Sequence, residues 1–176
     1  MTTTTPLSAL TGDYVLDTAR TRIGFVARHT MATRVRGQFD AFEGRVHLDG
    51  DDPSRSSAEL TVQARSVQTR NRRRDEHLRR RFLGLDDHAT VTFVSAGVER
   101  VGDTRFRMTG DLTIRGVTRP VTVDVELTGA RGDQVAFRGG VTVNRMDWGV
   151  NWNAATAVMV GPEVALEFDV VAIRRS

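Results

Sequence analysis

The chain has no cysteine and no lysine; all 25 of its basic residues are arginine. Without a thiol there is no disulfide framework, thiolate nucleophile, cysteine zinc site or iron–sulfur cluster, and oxidation state says nothing about compartment. Without a side-chain amine there is no Schiff-base catalysis, pyridoxal-phosphate anchor or P-loop, because a guanidinium does not give up its proton. Long apolar runs are also missing. No stretch approaches the roughly 18 residues of a membrane helix. Residues 1–12, MTTTTPLSALTG, carry neither the basic start nor the apolar centre of a signal peptide. They are expected to form a disordered tail, leaving 13–176 as one domain, with a cytoplasmic location as the default.

What is present is 176 residues, 39% hydrophobic and 27% charged, enough for one sizeable core. The formal net charge is +3, yet residues 70–81, RNRRRDEHLRRR, alone carry a balance of +5. The basic character is thus one patch on a near-neutral body.

From residue 13 the dominant period is two. Ala58, Leu60, Val62 and Ala64 alternate with Glu59, Thr61, Gln63 and Arg65, the mark of a strand with one buried and one wet face. The same pattern recurs at 23–27, 42–48, 91–93, 106–115, 121–127, 137–143 and 164–170, with a turn expected at 116–120. Eight or nine one-faced strands must curl until their apolar faces meet. The expected fold is therefore all-β, an elongated antiparallel barrel of about eight strands. One segment departs from it: Leu78, Phe82 and Leu85 fall at helical spacing, which predicts a single capping helix over about 71–85.

Candidate chemistry is sparse. Arg70, Arg72, Arg73 and Arg74 stand at or before the first helical turn, where the macrodipole disfavours cations. They read as an anion site or as a solvated face paired with Asp75 and Glu76. The four histidines have no metal-ligand spacing, so no metal is expected. His77, two residues after Asp75, is either a polar group at a cavity mouth or a surface histidine. No serine lies in a nucleophile elbow, and no glycine pattern marks a nucleotide loop. Both tryptophans, Trp148 and Trp152, fall in one loop beside Arg145 and Asp147, as the lining of a pocket mouth or as plain core.

Taken together these residues resemble the YceI family of lipocalin-like polyisoprenoid-binding proteins. Residues 110–121, GDLTIRGVTRPV, are similar to the family's G-x-L-T-x-x-G-V-T-x-P-V signature. Arg74-Asp75-x-His77-Leu78, Gly37-Gln38-Phe39, and Asn144-Arg145-x-Asp147-x-Gly149 also fit. Departures include Arg20-Thr21 in place of a His-Ser pair, and Trp148 where Phe is usual. The resemblance implies non-catalytic binding, storage or transport of an isoprenoid or fatty-acyl lipid in an apolar barrel, without a cofactor or nucleic acid. It also implies a homodimer, and peripheral membrane contact is open. The expected cavity lining is Phe25, Phe39, Leu60, Val62, Phe93, Leu112, Ile114, Val123, Val143 and Phe168. The expected mouth, for a polar or diphosphate head, is Arg70, Arg74, Asp75, His77, Arg145, Trp148 and Trp152. The alternative is an enzyme acting on a lipid-like substrate in the same cavity, with Asp75 and His77 as its acid–base pair.

Overall fold

The structure is a computed structural model and describes residues 6–29, 34–77, 90–114, 116–148 and 160–175. Strands dominate it: β1 (Gly12–Leu16), β2 (Arg22–His29), β3 (Arg34–Phe39), β4 (Phe42–Leu48), β5 (Ser57–Gln63), β6 (Val67–Gln68), β7 (Thr90–Arg100), β8 (Arg105–Ile114), β9 (Val117–Arg131), β10 (Gln134–Asn144) and β11 (Val160–Arg174). The one α-helix described, α1, is Arg72–His77. Its start agrees with the expected 71–85 helix, and the rest of that helix, with Leu78, Phe82 and Leu85, lies outside the described residues.

Eight strands close a ring in the order β1, β4, β5, β7, β8, β9, β10, β11 and back to β1, every neighbour antiparallel. The other three continue strands of that ring. The 15-residue β11 pairs β1 with its last residues and β2 with its first, β2 pairs β3, and β3 pairs β6. Thus β1 with β2, β4 with β3 and β5 with β6 are three staves, each broken once. The whole is an eight-stave elongated barrel, as the alternation implied.

The breaks form a belt, and hydrogen bonds across it keep the wall satisfied. Asp17 N–H donates to Val171 C=O at 2.8 Å, Gln63 N–H to Ala41 C=O at 2.9 Å, and Asp40 N–H to Ser66 C=O at 3.1 Å. Thr21 replaces a missing ladder rung with its side chain: Oγ1 accepts from Val171 N–H at 3.0 Å and donates to Val171 C=O at 3.2 Å.

Several local expectations need correction. Residues 7–12 are ordered, not part of a tail: Leu7–Leu10 forms a 3-10 turn, Leu10 is buried in the core and Gly12 begins β1. The turn expected at 116–120 is tighter. Gly116 takes a left-handed φ of 75° that a side chain would resist, and Pro120 sits inside β9 opposite Asp111. Its missing N–H interrupts no described ladder, since the β9–β10 pairing starts at Asp124.

The lower end of the barrel holds the β4–β5, β7–β8 and β9–β10 connections. The upper end holds α1 and the β2–β3, β8–β9 and β10–β11 connections. Each has its own apolar cluster. Upward, Phe25, Ala64, Val67, Ile114, Val143 and Trp148 pack together; downward, Leu10, Tyr14, Leu16, Val135 and Ala172 do so. Gly37 faces Phe25 across β2 and β3, and the Phe25 ring occupies the space a Cβ at position 37 would need.

Candidate functional site

Because inward positions along β8 and β9 are apolar at every second residue, their side chains line a hollow. The cavity measures about 240 Å³. That exceeds the roughly 150 Å³ apolar void that can hold a benzene ring. Phe106, Met108 and Leu112 of β8 and Val121, Val123, Val125 and Leu127 of β9 form one wall. A span of six residues on either strand covers about 20 Å. Leu7, Leu10, Leu48, Asp49, Gly50, Pro53 and Ser56 line it toward the lower end. Polar groups reach it mainly in that 49–59 stretch, including Ser57 and Glu59.

Seven of the ten expected lining residues border this cavity: Phe39, Leu60, Val62, Phe93, Leu112, Val123 and Phe168. Phe25, Ile114 and Val143 do not. They share the inward orientation but sit in the upper cluster, packed against their neighbours instead of facing open space. Lining residues absent from the expected ten include Leu7, Leu10, Leu16, Phe106, Met108 and Phe137. Phe106, Met108 and Phe137 have the right alternation. Leu7 and Leu10 lie in a segment without any period, and only the folded chain brings them in.

The expected mouth residues that are described lie at the other end, and none of those whose side chains are described borders the cavity. Trp148 is 3% exposed and its indole N–H donates to Leu112 C=O at 2.9 Å, so it closes the upper end as core. It is carried by a 3-10 turn, Arg145–Trp148, that starts when the Asn144 side chain accepts from Met146 N–H at 3.0 Å. Arg145 is also buried, with Nη1 3.4 Å from Met146 Sδ, and that burial lowers its pKa from the ordinary arginine value. Arg119 donates from Nε to Asp147 C=O at 3.0 Å and ties this turn to β9.

Asp75 is buried as well. Its Oδ1 accepts Thr69 N–H at 2.8 Å and the Thr69 hydroxyl at 2.5 Å, while its own N–H donates to Asn71 C=O at 2.9 Å. This carboxylate therefore fastens α1 to the end of β6, a positional task. Arg70 is exposed. The side chains of Arg74 and His77, and all of Trp152, lie outside the described residues, and the expected Asp75–His77 pair lies outside them too. Elsewhere His47 Nδ1 is 2.8 Å from Asp13 Oδ1 on the surface. Among the described residues no three histidine, aspartate or glutamate side chains are grouped to hold a metal. None of the described helices is long and apolar enough to cross a membrane.

A closed eight-stave antiparallel barrel with an apolar hollow is a lipocalin-like architecture. The family model of the YceI-like domain matches residues 14–172, and the chain belongs to that family. It is 35% identical over 168 residues to the UPF0312 protein SAS2572 of Staphylococcus aureus strain MSSA476, covering 88% of this chain and 94% of that protein. Among solved structures it is similar to Burkholderia cenocepacia BcnA, with a TM-score of 0.82 and 24% identity, covering 89% of this chain and 98% of that one. It is also similar to a polyisoprenoid binding domain from Saccharophagus degradans implicated in plant cell wall breakdown. The TM-score there is 0.76 at 14% identity, covering 92% of this chain and 98% of that one. At these identities the two structural likenesses speak for the fold.

Proposed function

We propose that this protein binds a long apolar chain, an isoprenoid or a fatty-acyl lipid, inside the barrel and does not transform it. The carrying observation is the cavity itself, with its aliphatic and aromatic walls and few polar lining residues, most of them in the 49–59 stretch with Glu167 of β11 besides. Each buried CH₂ contributes about 0.8 kcal/mol. Affinity then grows with chain length until the hollow is full, against the fixed cost of association. The polyisoprenoid binding domain with the same fold supports the isoprenoid choice. The bonding of Asp75 to Thr69 favours binding over catalysis, because the one expected acid already holds α1 in place. Storage or transport as a homodimer in the cytoplasm completes the proposal; sedimentation and cell fractionation test those two parts.

The direct experiment is purification without detergent, extraction and mass spectrometry, followed by uptake of prenyl and fatty-acyl chains by stripped protein. A bound ligand at 100 times its Kd adds about 2.7 kcal/mol, which raises the melting midpoint by roughly 5–10 °C for a chain of this size. Val125→Trp, which fills the hollow from β9, is expected to abolish uptake while the far-ultraviolet spectrum stays that of the parent. Protein that carries no lipid and takes none up would overturn the proposal.

A further inference from the structure

Arginines on the barrel wall face acids across the strands. Arg138 Nε is 3.0 Å from Asp169, Arg107 Nε 3.9 Å from Asp124, and Arg45 Nη2 4.0 Å from Glu59. The upper rim is different. Arg34 and Arg36 on β3, and Arg70, Arg72 and Arg73 around the start of α1, are all exposed, and among the described residues their side chains have no ion-pair or hydrogen-bond partner. β3 and β6 pair through Gln38 and Gln68, with Arg36 and Arg34 two and four residues from Gln38 toward the rim and Arg70 two residues from Gln68. Arg70 is held at a φ of 64°, a left-handed conformation in which glycine or asparagine would be at ease. Across the same rim two apolar side chains stand in solvent, Val117 at 37% and Met146 at 49% exposure. Arg119, bonded to Asp147 C=O, links their two segments and adds a sixth cation. The exposed acids toward this end among the described residues are Glu76, Asp111, Asp147 and Glu163, and below them Glu167 and Asp169 share a surface pocket with Arg36.

We infer that the upper rim docks on an anionic lipid bilayer. The guanidiniums would meet headgroup phosphates, while Val117 and Met146 enter the interface. Unpaired cations beside protruding apolar tips at one end of a molecule are the chemistry such a surface selects. The inference rests on the proposed function, since a lipid ligand has to be collected from a bilayer or delivered to one. A single-stranded nucleic acid fits the rim less well, because none of the aromatic side chains described is exposed for bases to stack on.

The test is co-sedimentation of the full chain with phosphatidylcholine vesicles, with and without phosphatidylglycerol, at low and high salt. The expected result is binding to the anionic vesicles only, weakened by salt. Partition should fall more than about tenfold in the triple variant Arg70→Glu, Arg72→Glu, Arg73→Glu, and more modestly in Met146→Asp. The triple variant should keep its melting midpoint, since acids suit a helix start. If it does not fold, the double variant Arg34→Glu, Arg36→Glu on β3 reads the same patch. Equal binding to neutral vesicles, partition unchanged by charge reversal, or tighter binding to duplex or single-stranded DNA at matched salt would overturn the inference. Val125→Trp separates the two proposals: it should lose lipid uptake and keep vesicle binding.

Discussion

At the upper end of the barrel, inward side chains of β2, β8 and β10, namely Phe25, Ile114 and Val143, meet Trp148 and pack against one another. Farther down, Met108, Val123, Val125 and Phe137 have the same inward orientation and look across open space. The alternation is equally good in both regions. What separates them is a side chain delivered from outside the strands: the 145–148 turn folds back and hangs Trp148 from the Leu112 carbonyl. An indole closes one end, and without a counterpart in the middle the ring of staves stays hollow. In a barrel, the pattern of a strand states which face turns inward, and the residues between strands decide how much of the inside is filled.

The strongest way to break that contrast is Trp148→Ala. It removes a buried indole and its hydrogen bond, and should cost about 3–5 kcal/mol in denaturant unfolding. It should also lengthen the cavity upward, so that a longer chain fits; a cost under about 1 kcal/mol would mean that Trp148 does not close this end. Next in size is the belt that joins the two regions. Thr21→Val leaves the Val171 N–H and C=O without their side-chain partner, for about 1–3 kcal/mol, whereas Thr21→Ser should be nearly silent in the same unfolding curves. Similar behaviour of the two variants would show that the hydroxyl is not what bridges the break.

Asp75→Ala should cost about 1–2 kcal/mol by freeing Thr69 and loosening α1. Lipid uptake should persist, because Asp75 is at the packed end and away from the cavity. The smallest effect is at Asp17, beside the belt. The hydrogen bond from Arg20, 2.7 Å away, holds its carboxyl below the usual aspartate value. A depressed carboxylate adds stability above its unfolded pKa and loses it as pH falls through the folded one. Arg20→Ala should therefore be slightly destabilising at neutral pH and indistinguishable from the parent in acid, with the Asp17 titration moving upward by NMR.

Much of this was legible in the chain. The apolar period marked β5, β8 and the middle of β9, β10 and β11, and the parity of Leu112, Val123 and Phe168 put them inside. β3 escaped because its inward positions include Gly37, and its outward ones are arginines, which dilutes the apolar signal. β6, two residues long, is too short to show any period. The cavity was harder to read than the strands. Phe25 and Phe39 alternate alike and touch, with ring centroids 5.7 Å apart, yet only Phe39 borders the hollow. Depth along the barrel separates them, and depth is not written in a period of two.

The sequence by itself determined an antiparallel barrel, the identity of most inward faces, the family resemblance, and the concentration of net positive charge in one segment. These follow from residue type and local spacing, which act along a strand or a turn. Only the tertiary structure decided that eleven segments make eight staves, that Leu7 and Leu10 enter the interior, that Trp148 closes the arginine-bearing end, and that the hollow lies toward the other. Those outcomes depend on distances between side chains far apart in the chain, and such distances exist only once the ring has closed.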